Sequence, residues 1–135
     1  MILLDCDVLL DAVLDRADHA GEANALLDYV ERAGYPASMA WHTVANLYYI
    51  ARPHYGRDKT IEFIRQLADI VSVADANSAS VHFAAGLAMT DFEDALQVAA
   101  ARNCGAWYIV TRNVKDYARS PIPAIQPGEA LTKIR

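Results

Sequence analysis

The stretch TDFEDALQVAAARNCGAWYIVTRNVKDY, residues 90–117, decides the fold because it encodes a helix, a buried strand and a polar turn in succession. Its apolar residues recur at helical spacing up to a glycine, which predicts a helix over about residues 90–103. Thr90 and Glu93 fit a capping box at the start of that helix. The aromatic and β-branched run at 106–111 then predicts a strand that ends in polar residues. This succession is typical of an α/β protein.

Strands and helices alternate in the rest of the chain as well. Residues 2–4 predict a buried first strand that ends at Asp5, and apolar spacing predicts a helix within residues 18–34. The other predicted elements are a short helix through Leu14, a strand at 36–38, a helix capped by Ser38 and stopped by Pro53, a helix opened by Asp58, a strand at 70–74, a helix capped by Asp75 or Asn77, an edge strand at 121–125 and a terminal helical turn. The alternation predicts one α/β domain, residues 1–135, with a parallel sheet.

The composition predicts a cytoplasmic protein without a membrane partner. No apolar run reaches the ~20 residues that cross a bilayer, and the first acid comes too early for a signal peptide. Cys6 and Cys104 are isolated and lack metal-ligand spacing, which favours buried thiols in a reducing compartment.

The charge is unevenly distributed along the chain. The net charge is −5, yet residues 102–135 hold two of the 17 acids and six of the 12 bases. Arg112 and Lys115 lie beside the predicted polar turn, where they can meet a phosphate backbone. An ordinary solvated basic face explains them equally well.

Oxygen-bearing side chains follow the predicted strand ends and one helix start. The residues are Asp5 and Asp7, Asp91 and Asp94, and Thr111, Asn113 and Asp116. Two carboxylates about 4 Å apart repel by about 4 kcal/mol at an effective dielectric constant of 20, and a divalent cation removes that repulsion. A site of oxygen ligands without His or Cys favours Mg²⁺ or Mn²⁺ over zinc. Taken singly, each acid is also explained as a helix cap or a turn residue.

The helix predicted after Ser38 carries an apolar stripe, with polar residues on a neighbouring face. Tyr48 and Tyr49 indicate core or dimer contacts, and an RNA-stacking surface is the alternative interpretation. His42 is interpreted as a structural histidine because no nearby residue pairs with it as a catalytic partner. The stripe consists of Trp41, Val44, Ala45 and Tyr48.

Three motifs in a fixed order resemble the PIN-domain family, in particular a bacterial branch related to toxins of toxin–antitoxin pairs. They are ILLDCDVLLD at 2–11, DFEDALQVAA at 91–100 and YIVTRNVKDY at 108–117, and the stretch NLYYI at 46–50 extends the resemblance. It implies a three-layer fold with a central, mainly parallel sheet flanked by helices. It also implies an endoribonuclease that depends on Mg²⁺ or Mn²⁺, an RNA substrate, a small antitoxin partner and a homodimer.

The resemblance also implies roles for individual residues. Asp5 matches the family's first acid, Asp94 the acid just before its Ala-rich helix, and Asp116 or Asn113 its last acidic position. Asp5, Asp94 and Asp116 are expected to be catalytic and to bind metal, with Asp91 as an additional ligand. Asp7, Asn46, Thr111 and Asn113 are expected to support the ligands, and Arg112 and Lys115 to meet RNA phosphate.

Two other functions remain open at this point. Asn46 stands where many PIN relatives carry Glu, so one alternative is a catalytically weakened PIN-like module that binds RNA or protein. The other is a phosphate-accepting receiver domain, which also needs clustered acids with Thr and Lys. It is disfavoured because no pair of adjacent acids follows an early strand.

Overall fold

The computed structural model describes all residues from Met1 to Arg135, and they form a five-stranded sheet with helices on both faces. The strands are β1 (Ile2–Leu4), β2 (Ala37–Met39), β3 (Ser72–Val73), β4 (Tyr108–Val110) and β5 (Ala124–Ile125). The helices are α1 (Cys6–Val13), α2 (Ala20–Ala33), α3 (Trp41–Tyr55), α4 (Arg57–Ile70), α5 (Ser78–Ala85), α6 (Phe92–Cys104) and α7 (Pro127–Ile134), and a 3-10 turn spans Val114–Tyr117. The strand order is β3-β2-β1-β4-β5, and every neighbouring pair is parallel. The predicted α/β fold with a parallel central sheet is confirmed.

The apolar start of the chain forms β1, the middle strand of the sheet. Ile2 and Leu4 pack in a cluster of 18 buried residues that includes α1, α2, α3, α4 and α7. Leu3 packs in a second cluster of nine residues, which includes α6. Successive side chains of a strand point to opposite faces, so a strand covered on both faces needs a continuous apolar run. The carboxyl end of β1 therefore emerges between two layers of helices.

Most of the predicted elements are present, with small shifts at their ends. The helix predicted within 18–34 is α2, and Gly34 ends it in a left-handed conformation with φ 61°. The strand predicted at 70–74 shortens to β3 because α4 continues through Ile70. Asn77 caps α5 through two backbone N–H groups, and the proline-rich segment forms the edge strand β5.

The cap of α6 differs from the prediction. The helix begins at Phe92, one residue later than a Thr90 capping box requires. Asp91 has the extended backbone of a cap residue, and its carboxylate accepts the Asp94 N–H at 3.1 Å. The capping box of Thr90 and Glu93 was therefore wrong, because the neighbouring Asp takes the cap position.

The ends of α3 also differ from the prediction. Ser38 belongs to β2, and the cap residue is Ala40, which makes no side-chain bond. Pro53 lies inside the helix, which ends only at Tyr55. A proline without an N–H leaves the carbonyl of Tyr49 without its helical partner, and this turn is exposed, so water can replace the lost bond.

The stripe that α3 buries is not the predicted one. The buried residues of α3 are Thr43, Leu47 and Ala51. In the predicted stripe, Trp41 is 68% exposed, Ala45 is exposed, and Val44 and Tyr48 are half-buried. The predicted apolar stripe instead lines an open groove of about 590 Å³ between α3 and α4. The groove is lined by Trp41, His42, Val44, Ala45, Tyr48, Tyr49, Ile61 and Ile64. No helix of the structure combines the length and hydropathy that crossing a bilayer requires.

Candidate active site

The end of β1 places Asp5 at the centre of the candidate site. Asp5 is the cap of α1 and is 7% exposed. Its Oδ1 accepts the backbone N–H of Cys6 at 2.7 Å and the Nε2 group of Gln97 at 3.1 Å. Its Oδ2 accepts the hydroxyl of Tyr117 at 2.9 Å. The carboxylate is thus fixed by three donors from three parts of the chain.

The first turn of α6 brings a second acid to the same place. The Tyr117 hydroxyl that donates to Asp5 also lies 3.3 Å from Oδ1 of Asp94, so one phenol bridges the two carboxylates. Ligand oxygens of Asp91, Glu93 and Asp94 all lie within 4.8 Å of one another. The structure therefore brings together three of the predicted ligands, namely Asp5, Asp91 and Asp94, and adds Glu93.

Burial and mutual repulsion raise the pKa values of these acids. Burial, and then the charge of Asp7, raises the pKa of Asp5 to about 6. Burial, and then the charges of Asp91 and Asp5, raises the pKa of Asp94 to about 7. The hydrogen bond from His42 is the largest effect on Glu93 and lowers its pKa. Near neutral pH the site thus gathers negative charge that a cation would stabilise.

Gln97 links the site to the helix layer behind it. Its side chain is fully buried, and Nε2 lies 3.1 Å from Asp5, 3.0 Å from the Thr43 hydroxyl and 3.4 Å from Glu93. Its Oε1 is buried without a partner. His42, interpreted from the sequence as a structural histidine, has Nε2 3.0 Å from Oε1 of Glu93. This partner lies 51 positions away in the chain, so it could not be identified from the residues near His42.

Asp7 holds the turn after β4. Its Oδ2 accepts the Thr111 hydroxyl at 3.2 Å, the Arg112 backbone N–H at 3.0 Å and Nδ2 of Asn113 at 3.1 Å. Its Oδ1 is buried and unpaired, and burial raises the pKa of the carboxyl. Asn113 therefore contacts the site through Asp7, whereas the Thr111 hydroxyl also interacts with Asp5 and lowers the pKa of that carboxyl.

Arg112 is held by a buried acid. Its guanidinium pairs with Asp11, which is 1% exposed and also accepts Nη1 of Arg16 at 3.2 Å. Lys115, the other basic residue predicted to meet RNA, is exposed and makes no side-chain hydrogen bond or ion pair. Of the two predicted phosphate contacts, Lys115 is thus the one with a free cationic group.

Two further predicted residues lie near the site without a bond to it. Asp116 is in the 3-10 turn, but its side chain is exposed and forms no hydrogen bond or ion pair, whereas the next residue, Tyr117, points inward. Asn46 is half-buried, one helical turn beyond His42, and its amide makes no hydrogen bond. The sequence did offer a signal for Gln97, a polar residue one turn after Asp94 within an otherwise apolar helix face.

Comparisons with known proteins identify the family and the fold. A family model described as PIN domain matches residues 1–115. The fold is similar to VapBC2 from Rickettsia felis bound to a promoter DNA fragment, with a TM-score of 0.71, 16% identity and coverage of 93% of this chain and 98% of that chain. The fold is also similar to a toxin–antitoxin complex from Klebsiella pneumoniae, with a TM-score of 0.71, 19% identity and coverage of 94% of this chain and 98% of that chain. A third similar structure is Mycobacterium tuberculosis VapC20, described as a sarcin–ricin loop cleaving toxin. It has a TM-score of 0.62 and 15% identity, and the match covers 81% of this chain and 87% of that chain. No curated protein matches the sequence significantly.

Proposed function

This chain belongs to the PIN-domain family, and from that premise we propose that it is an endoribonuclease that hydrolyses RNA phosphodiesters with Mg²⁺ or Mn²⁺. The observation that carries the proposal is the pair of carboxylates, Asp5 and Asp94, bridged by one phenol at the carboxyl edge of a parallel sheet. Ligands bind at that edge in open α/β sheets. Burial and mutual repulsion disfavour the ionised forms of both acids, and a divalent cation would relieve that repulsion.

The donor atoms fit magnesium or manganese. Every candidate ligand is a carboxylate oxygen, and hard cations prefer such oxygens. Asp5 and Asp94 would hold the ion, with Asp91 as an additional ligand and Glu93 beside it. Asp116 is proposed as a further ligand because its exposed carboxylate is free and lies in the same 3-10 turn as Tyr117. A bound ion would supply Lewis acidity and activate water for attack on phosphorus.

The rest of the site has supporting tasks in this proposal. Gln97 and Tyr117 orient the Asp5 carboxylate, and Asp7 keeps the turn after β4 in place. Asn46 faces the same side of α3 as His42 and would orient water or substrate. Lys115 would bind RNA phosphate, and Arg112 would act mainly by fixing the turn.

We further propose that the protein is the toxin of a toxin–antitoxin pair and acts in the cytoplasm. The structural neighbours are described as toxin–antitoxin complexes, and one as a toxin that cleaves the sarcin–ricin loop. A small antitoxin is the proposed partner, and a homodimer the proposed assembly. The exposed aromatic residues Trp41 and Tyr49 on α3 support an interface, since isolated chains rarely expose such groups together.

A catalytically weakened RNA- or protein-binding module is the second candidate. Asn46, which adds no charge where many relatives carry Glu, favours it. Loss of the family's ligand charge would lower metal affinity and leave the fold and the RNA surface intact.

Cleavage of a panel of structured and unstructured RNAs tests these candidates. The wild type is assayed with Mg²⁺, Mn²⁺ or chelator, beside Asp94→Asn and Asp116→Asn. The exposed Asp28 on α2 provides the matched control, Asp28→Asn. We expect metal-dependent cleavage that Asp94→Asn lowers at least about 100-fold, Asp116→Asn at least about tenfold, and Asp28→Asn leaves unchanged. RNA binding without cleavage by folded, metal-loaded wild type would select the second candidate.

A further inference from the structure

Glu93 is held at the acid cluster by donors from two helices. Its Oε1 lies 3.0 Å from Nε2 of His42, in the first turn of α3, and 3.4 Å from Nε2 of Gln97, one turn further along α6. One oxygen of Glu93 also lies within 4.8 Å of ligand oxygens of Asp91 and Asp94. Three neighbouring carboxylates repel one another, so a glutamate without a partner would turn away from the other two. The contacts from His42 and Gln97 oppose that movement.

The two oxygens of Glu93 have different surroundings. Both donors face Oε1, and no donor of the protein bonds Oε2. An ionised carboxylate has acceptor sites on each of its oxygens. Oε2 is therefore the oxygen that remains available to a cation, and a carboxylate that binds through one oxygen is an ordinary ligand of Mg²⁺.

Gln97 gives an independent reason to assign a task to these contacts. Its side chain is fully buried, yet its Oε1 has no partner. An unpaired buried amide oxygen destabilises a protein, and each such group requires an explanation. The other end of the amide supplies one, because Nε2 faces Glu93 and also lies 3.1 Å from Oδ1 of Asp5. The amide therefore serves through its N–H groups, which join Glu93 to the buried acid at the end of β1.

The pair formed by His42 and Glu93 differs from an ordinary surface ion pair. Exposed pairs contribute little to stability and commonly have no further task. Here the His42 side chain is 27% exposed, and its partner Glu93 also contacts the buried Gln97 amide and lies among the acids of the candidate site. The contact thus connects α3 to the place where a cation would bind.

We propose that Glu93 is a further ligand of the cation, through Oε2, and that His42 is the positioning residue that holds Glu93 in place together with Gln97. The inference rests on the proposed function, because it concerns the same cation. It adds a fourth carboxylate to Asp5, Asp91 and Asp94. His42 acts on the cation only through Glu93.

The test is calorimetric titration of the full-length, metal-stripped protein with Mn²⁺ at pH 7.5. His42→Phe keeps a ring and removes the N–H, whereas His42→Gln keeps an N–H donor at a similar reach. We expect Mn²⁺ affinity to fall about tenfold in His42→Phe and to stay within about twofold of wild type in His42→Gln. The matched control is His82→Phe, since His82 is exposed on α5 and makes no side-chain hydrogen bond or ion pair. An unchanged affinity in His42→Phe, or an equal fall in both His42 variants, overturns the inference.

A double-mutant cycle shows whether His42 acts through Glu93. Glu93→Gln should itself lower Mn²⁺ affinity at least about tenfold. In the Glu93→Gln background, His42→Phe should cause no further loss, because the carboxylate that it positions is absent. A merely structural role for His42 gives the same loss in both backgrounds, and that result overturns the inference. If His42→Phe does not fold, His42→Asn replaces it in the cycle, because the shorter amide does not reach Glu93.

The same titrations separate this inference from the proposed function. Binding of Mn²⁺ by wild type, with unchanged affinity in His42→Phe and Glu93→Gln, overturns the inference alone. Absence of Mn²⁺ binding by folded wild type overturns the metal-dependent function, and the inference with it.

Discussion

Replacing Asp5 with Asn should stabilise the metal-free protein at neutral pH while abolishing its metal response. Asp5 is 7% exposed, and its pKa rises from 3.8 to about 6 mainly because of burial. Each tenfold change in an equilibrium is worth about 1.4 kcal/mol, so this difference corresponds to about 3 kcal/mol. The ionised carboxylate therefore destabilises the native state by about 3 kcal/mol relative to the protonated acid. A neutral amide at this position avoids that cost.

The sign of the pH dependence follows from linkage. Between pH 4 and about 6 the native state holds a proton on Asp5 that the unfolded chain has already released. The stabilisation from protonated Asp5 is therefore complete below the pKa that Asp5 has in the unfolded chain, and it is lost as the pH rises through the pKa that Asp5 has in the folded protein. In chelator, the wild type should lose about 2 kcal/mol of unfolding free energy from this group between pH 4 and 7.5. Asp5→Asn should lack this contribution.

Urea unfolding at pH 4.5 and pH 7.5 provides the assay. Far-UV circular dichroism is the suitable signal, because Trp41 and Trp107 are 68% and 76% exposed and report poorly on the core. The advantage of Asp5→Asn over wild type should grow by about 2–3 kcal/mol between the two pH values. Mg²⁺ should then stabilise only the wild type. An equal difference at both pH values, with Asp28→Asn as control, would refute the claim that the buried charge of Asp5 opposes folding.

Three further predictions concern neighbouring groups. Arg112→Met should lower the unfolding free energy by about 3 kcal/mol because it leaves the buried Asp11 with one cationic partner. Lys115→Met should change the unfolding free energy by less than about 0.5 kcal/mol and weaken RNA binding in fluorescence anisotropy. Destabilisation by Lys115→Met and weaker RNA binding by Arg112→Met alone would exchange the roles of the two residues. Mn²⁺ affinity measured by calorimetry should rise between about pH 6 and pH 8, because binding displaces the proton of Asp94, whose pKa is about 7. A pH-independent affinity would exclude Asp94 as a ligand. Asn46→Glu should tighten Mn²⁺ binding about tenfold, whereas Asn46→Gln should not, and equal affinities in both variants would separate residue 46 from the metal.

Local patterns in the sequence predicted the elements, and the order of those elements predicted the sheet. The apolar run at 2–4 and the helix with its glycine stop at 105 needed only short-range information. Asp5 and Asp94 were singled out as candidates because strand ends and helix starts are local features as well.

The contacts that define the site could not be found in this way. The Tyr117 hydroxyl meets Asp5 across 112 positions, and His42 meets Glu93 across 51. The periodicity of apolar residues does not specify contacts between residues so far apart in the chain. It also cannot choose between two apolar stripes of one helix. In α3 the fully buried stripe is Thr43, Leu47 and Ala51, whereas the predicted stripe is exposed at Trp41 and Ala45 and only half-buried at Val44 and Tyr48.

The order in which the chain is synthesised adds a consequence of the central position of β1. β1 is synthesised before its neighbour β4, and Asp5 is synthesised 112 residues before its hydrogen-bond donor Tyr117. At about 5–20 residues per second, that interval is roughly 6–20 s. A nascent chain thus carries its first acid long before it owns a complete site. Any RNA cleavage that depends on the bridged acids must therefore wait until Tyr117 has been synthesised.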